Sequence, residues 1–196
     1  MGKVAVLTND LQSDIVDKTP QRAAGIAEAK ADFVAFLDGM RSRGHRVFHL
    51  QLINLPDDPN AEWDANGHLP VQLGTPGAAI LADFLDPADD VVVKHKDSGF
   101  YETELHERLQ AAGVDTVLVT GLQTQICVQT TAADAFFRGY NVWVPSDCVV
   151  SGDPEAKERS LAWLDGYCAT IAESSDILRI LDESGELPRK KVSIYP

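Results

Sequence analysis

The sequence predicts a three-layer α/β/α domain built on a six-stranded parallel sheet. Short runs rich in β-branched residues alternate with longer amphipathic segments along the whole chain. The strand-like runs are apolar without interruption, which is typical of parallel strands that are covered by helices on both faces. Because no repeat or low-complexity tract breaks the alternation, we expect residues 1–196 to form one domain.

Six segments have the composition of buried strands and are separated by segments with the periodicity of helices. The predicted strands are residues 3–8, 46–51, 90–94, 116–121, 141–145 and 169–173. The predicted helices cover about 21–43, 77–85, 101–112, 126–138, 154–165 and 175–184. Gly44, Gly113 and Gly139 lie just beyond three of these helices, where glycine most easily adopts the left-handed conformation that ends a helix.

The segment from Leu52 to Pro76 has no regular pattern, because prolines, asparagines and glycines are spread through it. Loops of this length are usually functional or disordered. Since the segment contains Trp63, we expect an ordered loop that forms one wall of a pocket, with a merely solvated insertion as the alternative.

The charge balance argues against several classes of partner. Thirty acidic and seventeen basic residues leave a net charge of -13, which provides no basic surface for nucleic acid or for an anionic membrane. The apolar stretches are far shorter than the ~20 residues that a membrane span requires. We therefore expect a cytoplasmic protein with neither nucleic acid nor membrane as a partner.

The cysteines indicate neither a disulfide framework nor a zinc site. There are three of them, Cys127, Cys148 and Cys168, an odd number without the spacing of metal ligands. At least one is therefore a candidate for a reactive thiol.

Three chemically active side chains follow strands of the predicted sheet. Asp10 comes after the first strand, Lys94 ends the third, and Cys127 follows the fourth across a short loop. Ligands of open parallel sheets bind beyond the carboxyl ends of the strands, so these side chains are expected to meet there. An acid, an amine and a thiol at one sheet edge are the parts of a nucleophilic acyl-transfer site.

Each of these side chains has a physical role in such a site. The first turn of a helix and a nearby ammonium lower the pKa of a thiol, so we expect Cys127 to be largely ionised at neutral pH. Asp10 would take the thiol proton and return it to the leaving amine, while Lys94 would keep Asp10 ionised. The alternative is that Cys127 packs inertly, Asp10 caps a turn and Lys94 is solvated.

Four motifs, in order along nearly the whole chain, resemble those of the isochorismatase-like cysteine hydrolase family, which includes nicotinamidases, N-carbamoylsarcosine amidase and ureide amidohydrolases. The motifs are Asp10-Leu11-Gln12, Gly74-Thr75-Pro76-Gly77, the run from Lys94 to Phe100, and the run from Gly121 to Val128 followed by Thr131-Ala132.

The resemblance implies a Rossmann-like sheet with strand order 3-2-1-4-5-6 and a catalytic triad of Asp10, Lys94 and Cys127. It also implies a cis peptide bond between Leu122 and Gln123, so that the amides of Gln123 and Cys127 form an oxyanion hole. Oligomers are common in the family, so we expect a homo-oligomer.

Two departures from the family pattern narrow the function. Gln125 replaces the usual Asp or Asn of the nucleophile loop, which leaves the role of that position open. The metal-binding Asp-x-His of nicotinamidases is missing after the second strand, and His49 and His68 are isolated. We therefore expect neither a metal nor another cofactor, and nicotinamide is disfavoured as a substrate.

The resemblance implies hydrolysis of a small carboxamide, ureide or carbamoyl compound through a thioester on Cys127. Gln12, Trp63 and Phe100 are candidates for contacts with the substrate, although core packing explains both aromatic side chains equally well. The alternatives are an isochorismatase-type vinyl ether hydrolase with Asp10 as the acid and, more remotely, a binding protein without catalysis. A nucleotide-binding module is disfavoured because no glycine-rich phosphate motif occurs.

Overall fold

The strands form one parallel sheet in a computed structural model that describes residues 3–61 and 63–191. The six predicted strands are all present, and a two-residue strand after the fifth was not predicted. Their bounds are β1 Lys3–Asn9, β2 Arg46–Leu52, β3 Asp90–Lys94, β4 Val114–Leu122, β5 Asn141–Pro145, β6 Val149–Val150 and β7 Thr170–Ala172.

The sheet order is β3-β2-β1-β4-β5-β7, which confirms the predicted order once the additional strand β6 is counted. β5 pairs with the first half of β4, from Thr116 to Leu118. β6 pairs instead with the last two residues of β4, Gly121 and Leu122. Because of this change of partner, β4 is paired on that side at its carboxyl end as well, where the nucleophile loop begins.

Six α-helices flank the sheet within the described residues. Their bounds are α1 Ser13–Val16, α2 Pro20–Ser42, α3 Leu105–Ala111, α4 Gln129–Phe137, α5 Pro154–Tyr167 and α6 Ser174–Ser184. No helix in the two described ranges is long and apolar enough to cross a membrane.

The predicted helix at 77–85 is wrong, since only a single 3₁₀ turn, Pro76–Ala78, forms there. Ile80 and Leu81 instead form backbone hydrogen bonds with the segment that follows β1. Ile80 forms an isolated antiparallel bridge with Gln12, and Leu81 donates its N–H to the carbonyl of Leu11 at 2.8 Å. These tertiary hydrogen bonds replace those that a helix would have supplied.

The apolar core lies in two layers, one on each face of the sheet. On one face α2 and α6 contribute Phe33, Phe36 and Ile177, all buried. On the other face α3, α4 and α5 contribute smaller side chains, including Leu105 and Ala132. This arrangement leaves the carboxyl ends of the strands uncovered by helices, so it is there that a cleft can form.

Two glycines allow the chain segments near this edge to approach closely. Gly121 has a φ of 103°, and a Cβ there would lie 2.2 Å from the carbonyl oxygen of Asn9 on the neighbouring strand. A Cβ on Gly77 would lie 2.0 Å from a carboxylate oxygen of Asp14. Glycine is therefore required at Gly121, where the contact is with backbone, whereas a side chain at position 77 would have to displace the Asp14 carboxylate that accepts from the Val71 N–H.

Candidate active site

Asp10 lies directly after β1 at the floor of a cleft. Its backbone has a φ of 55°, in the left-handed region that Asp tolerates better than most residues. The turn is held by hydrogen bonds from Asp10 N–H to the Leu50 carbonyl at 3.1 Å and from Gln12 N–H to the Asp10 carbonyl at 2.8 Å. The residue is only 1% exposed, yet its side chain borders the cleft.

Lys94 ends β3 and forms a buried ion pair with Asp10. Its Nζ lies 3.0 Å from Oδ1 and donates a hydrogen bond of 3.2 Å to Oδ2. Two further hydrogen bonds go to the carbonyls of Lys96 and Asp97, at 3.3 and 3.1 Å. All three ammonium protons thus have acceptors, so a fully buried cation is tolerated.

Cys127 lies in a π-helical turn, Thr124–Val128, that connects β4 to α4. The predicted helix start at 126 is therefore wrong in detail, although the thiol does lie at the entry to a helix. All three cysteines are free, but only Cys127 lines the cleft. Its Sγ lies 3.7 Å from Oδ1 of Asp97, and Asp10 and Lys94 are close enough to influence its charge.

The electrostatic environment of Cys127 disagrees with the expectation that its thiol is largely ionised at neutral pH. Burial and the Asp10 carboxylate raise the pKa of the Cys127 thiol well above its ordinary value, and Lys94 opposes them only in part. Burial also raises the pKa of Asp10 against the lowering effect of Lys94. Burial disfavours the Lys94 ammonium, but Asp10 and the Cys127 sulfur outweigh this and raise the pKa of Lys94. Burial thus favours the neutral form of the Cys127 thiol, while the ion pair with Asp10 favours the charged form of Lys94.

A cleft of about 430 Å³ is lined by Asp10 and Cys127, whereas Lys94 is fully buried and reaches the site through its ion pair with Asp10. The lining mixes both signs of charge with polar and apolar groups, and the polar groups could orient a small polar molecule. Besides Asp10 and Cys127, the lining includes Lys18, Arg22, Leu52, Asn54, Asp58, His95, Lys96, Asp97, Gln123 and Ile126.

Thr131 on α4 joins the segments that form the floor. Its hydroxyl donates to the side chain of Asn9 at 3.1 Å and accepts from the N–H of Gly99 at 3.0 Å. Nearby, Ser98 donates to the carboxylate of Asp134 on the same helix at 2.7 Å. These hydrogen bonds fix the segment after Lys94 to helix α4, and they fix α4 to the end of β1.

The peptide bond between Leu122 and Gln123 is cis, at the position that the family resemblance implies. The Gln123 side chain accepts a hydrogen bond of 3.2 Å from the N–H of Gly152, and the residue lines the cleft. The side-chain oxygen of Gln125 is buried and has no hydrogen-bond partner among the described residues, so this structure assigns it no role.

Gln12 lies outside the cleft lining, contrary to its proposed contact with the substrate. Its side chain donates to the carbonyls of Leu52 and Ala78, at 2.8 Å each, and accepts from the Leu52 N–H at 2.8 Å. The residue is fully buried, and its amide is engaged by the backbone on both sides. It ties the end of β1 to the two ends of the loop that forms the cleft wall.

The two aromatic candidates also lie outside the cleft lining. Phe100 is buried in the core, where its ring stacks on Tyr140 at a centroid distance of 5.9 Å. Trp63 lies on the loop after β2 and is 49% exposed. Apolar surface alone did not distinguish a core residue or a solvated loop residue from a pocket wall.

The histidines form no cluster with other potential metal ligands. His49 is buried and bonded through Nδ1 to the Thr8 hydroxyl at 2.7 Å and through Nε2 to Asp89 at 2.9 Å. His68 is exposed on the loop after β2, beside Asp64. Within residues 3–61 and 63–191, no group of three or more His, Cys, Asp or Glu side chains is arranged to hold a metal ion.

Sequence reasoning missed the charged residues of the cleft wall. Lys96 and Asp58 form an ion pair across the cleft lining, and Asp97 borders the thiol. Lys96 and Asp97 fall inside the motif that begins at Lys94, where they occupy variable positions. Their position directly after β3, at the same sheet edge as Asp10 and Cys127, could have identified them as residues of the cleft.

The sequence model of the isochorismatase domain matches residues 4–176. The chain belongs to the isochorismatase family. A solved isochorismatase family protein from Desulfovibrio vulgaris is similar at 28% identity and a TM-score of 0.82, over 93% of this chain and 100% of that one. N-carbamoylsarcosine amidase from Thermoplasma acidophilum is similar at 29% identity and a TM-score of 0.73, over 88% of this chain and 96% of that one.

Curated relatives match over shorter segments. A ureidoacrylate amidohydrolase from Methylobacterium radiotolerans is 40% identical over 75 residues, which are 38% of this chain and 29% of that protein. Among the first three curated relatives the matched share of the relative is 43%, 29% and 61%, so the chain spans less than two thirds of their lengths.

Proposed function

We propose that this protein is a cysteine-dependent amidohydrolase that cleaves the C–N bond of a small carboxamide, ureide or carbamoyl compound. Membership of the isochorismatase family supports hydrolysis, and the names of the similar ureidoacrylate amidohydrolase and N-carbamoylsarcosine amidase support C–N bonds as the target. The observation that carries the proposal is that one free thiol borders the cleft beside a buried carboxylate–ammonium pair.

In the proposed first step Sγ of Cys127 attacks the carbonyl carbon while Asp10 accepts the thiol proton. A neutral thiol requires such a base, and the raised pKa of Asp10 makes it a better proton acceptor than an ordinary carboxylate. Collapse of the tetrahedral intermediate breaks the C–N bond, and Asp10 returns the proton to the leaving nitrogen. Water then attacks the thioester, which releases the acid and regenerates the thiol.

Lys94 keeps Asp10 in its ionised form before attack, because the ammonium lies 3.0 Å from Oδ1. Its charge also stabilises negative charge as it develops on the Cys127 sulfur. The remaining two protons of the ammonium are bound by backbone carbonyls, so the cation stays at one position throughout the reaction.

We place the oxyanion that forms on the substrate against the backbone amides of Gln123 and Cys127. Both residues line the cleft at the junction of β4 and the nucleophile turn. Backbone N–H groups held by the fold need no reorganisation as charge develops, which is the basis of oxyanion stabilisation.

Ammonia release from a panel of small carboxamides, ureides and carbamoyl compounds tests the proposal. Cys127→Ala and Cys127→Ser should lose at least about a thousandfold in turnover, because no other thiol borders the cleft in the described residues. Intact-mass spectrometry of the wild type during turnover should show an acyl adduct that both variants lack. Cys168→Ala, which removes a buried thiol outside the cleft lining, is the matched control.

Two results would contradict the proposal. Retained ammonia release in Cys127→Ala would mean that another group is the nucleophile. Turnover of a vinyl ether by both wild type and Cys127→Ala, without turnover of any amide, would favour the isochorismatase-type reaction with Asp10 as the acid.

A further inference from the structure

A second carboxylate, that of Asp97, lies beside the nucleophile in addition to Asp10. Oδ1 of Asp97 is 3.7 Å from Sγ of Cys127, and the residue lines the cleft. The two carboxylates differ in their surroundings, since Asp10 is buried against the Lys94 ammonium, whereas Asp97 is exposed. Among the described residues the Asp97 carboxylate has no ion-pair partner.

The backbone of Asp97 is held in place although its side chain is exposed. Its carbonyl accepts a hydrogen bond from Nζ of Lys94 at 3.1 Å and lies 3.4 Å from the hydroxyl oxygen of Thr131, whose proton goes to Asn9. Lys94 is part of the cleft floor, and Thr131 lies on the helix that follows Cys127. The position of the Asp97 side chain relative to the sulfur is therefore set by the same contacts that assemble the floor.

The distance between Asp97 and the sulfur determines what the carboxylate can reach. A carbonyl carbon ready for attack lies about 3–3.5 Å from the nucleophilic atom. The nitrogen of the same amide is one bond further, so it can lie within the roughly 2.7–3.2 Å of a hydrogen bond to Oδ1. Asp10, by contrast, is needed for proton transfer, and Asp58 is engaged by Lys96.

The chemistry of a carboxylate selects among the groups that could occupy this position. An ionised carboxylate accepts hydrogen bonds and donates none, so it binds an N–H and repels an ester or carboxylate oxygen. A carboxamide presents one oxygen, which accepts, and one nitrogen, which donates. Donating amides at Gln123 and Cys127 and an accepting carboxylate at Asp97 would match both ends of that group.

We propose that Asp97 is a specificity-determining residue whose carboxylate accepts an N–H hydrogen bond from the nitrogen of the scissile C–N bond. This inference rests on the proposed function and names the feature that a substrate must carry, which is an N–H on the leaving nitrogen. The hydrogen bond orients that nitrogen so that its developing lone pair faces Asp10, which supplies the proton for departure.

The test compares two reactions of the same sulfur in wild type, Asp97→Ala and Asp97→Asn. N-carbamoylglycine, or the fastest compound of the amide panel, reports on a substrate with an N–H leaving group. p-Nitrophenyl acetate reports on attack by Cys127 without any N–H. Asp57→Asn, which removes an exposed carboxylate of the loop after β2 outside the cleft lining, is the matched control for a general change of charge.

In Asp97→Ala we expect kcat/KM for the amide to fall by roughly 10- to 100-fold, while kcat/KM for the ester stays within about threefold. Asp97→Asn should lie between wild type and Asp97→Ala on the amide, because its side-chain oxygen can still accept a hydrogen bond. In Asp57→Asn the ratio of amide to ester turnover should stay at the wild-type value.

Equal losses on amide and ester in Asp97→Ala would overturn the inference and leave the proposed function standing, since the residue would then act only through the sulfur or the fold. An unchanged amide rate would overturn it as well. A wild type that turns over the ester but none of the amides would refute the proposed function, and the inference with it.

Discussion

The floor and the wall of the cleft differ in how they are built. The floor, made of Asp10, Lys94 and Cys127, is 1%, 0% and 6% exposed and follows directly from strands of the sheet. The wall, which is the loop from Leu52 to Pro76, carries side chains such as Leu73 that are 76% exposed. The rigid sheet thus positions the reacting groups, whereas the loop decides which molecule can reach them.

The largest effect should follow from the loss of the base in the floor. Asp10→Asn keeps the shape and the hydrogen-bonding capacity but cannot accept the thiol proton, so we expect kcat/KM to fall by roughly 10²- to 10⁴-fold. Ammonia release with the best substrate of the panel measures this. As a matched wall variant, Asp57→Asn should change the rate little, and an active Asp10→Asn protein would show that Asp10 is only structural.

Removal of one partner of the buried ion pair between Asp10 and Lys94 should strongly destabilise the folded protein. Lys94→Met leaves the Asp10 carboxylate buried without its partner, and we expect the free energy of unfolding to fall by about 3–5 kcal/mol. Urea denaturation followed by circular dichroism measures the loss. The double variant Asp10→Asn with Lys94→Met should recover part of it, because no unpaired charge remains; additive losses would mean that the two groups are not coupled.

The connection between the end of β1 and the loop that forms the cleft wall should depend on the hydrogen bonds of Gln12. Gln12→Ala leaves the N–H and C=O of Leu52 without their side-chain partner, whereas the carbonyl of Ala78 keeps its second donor, the side chain of Gln51. We therefore expect a loss of about 1–3 kcal/mol in the free energy of unfolding. Trp63→Ala, on the exposed part of the wall, should stay within about 0.5 kcal/mol of wild type. If Gln12→Ala instead had normal stability and an altered KM, the result would support the original prediction that Gln12 contacts the substrate.

The smallest effect concerns the charge of the sulfur. Because the pKa of Cys127 is raised in the folded state, the unfolded state releases its proton first as pH rises above 9.0. This contribution to stability is therefore complete below pH 9.0 and is lost as pH rises towards the folded pKa. The difference in stability between wild type and Cys127→Ala should change in that direction; a difference that is constant across this range would contradict a neutral buried thiol.

The rate of alkylation provides a second test of the ionisation and accessibility of the Cys127 thiol. The rate of iodoacetamide labelling at Cys127 should rise steeply with pH, as the thiolate fraction grows. At every pH we expect Cys127 to be labelled before Cys148 and Cys168, because the latter two are buried outside the cleft lining and the reagent can reach only Cys127 through the cleft. Equal labelling of the three thiols would contradict the assignment of Cys127 to an accessible cleft.

The floor was predictable from the sequence because parallel strands have a clear pattern and their carboxyl ends meet at one edge. Asp10, Lys94 and Cys127 needed only their positions after β1, β3 and β4 to be brought together. The candidates for substrate contact lie outside the cleft lining, and the sequence did not show this, for the opposite reason. Gln12 and Phe100 are polar and aromatic groups that satisfy core contacts, and no periodic pattern shows which way a loop residue faces.

Sequence alone determined the family, the order of the strands and the meeting of an acid, an amine and a thiol, because hydrophobic pattern and strand order are local properties that add up along the chain. Only the tertiary structure decided the charge of that thiol, the role of Gln12 and the approach of Asp97 to the sulfur. These depend on burial and on distances between segments far apart in sequence, and the free energy of a charge changes steeply with both.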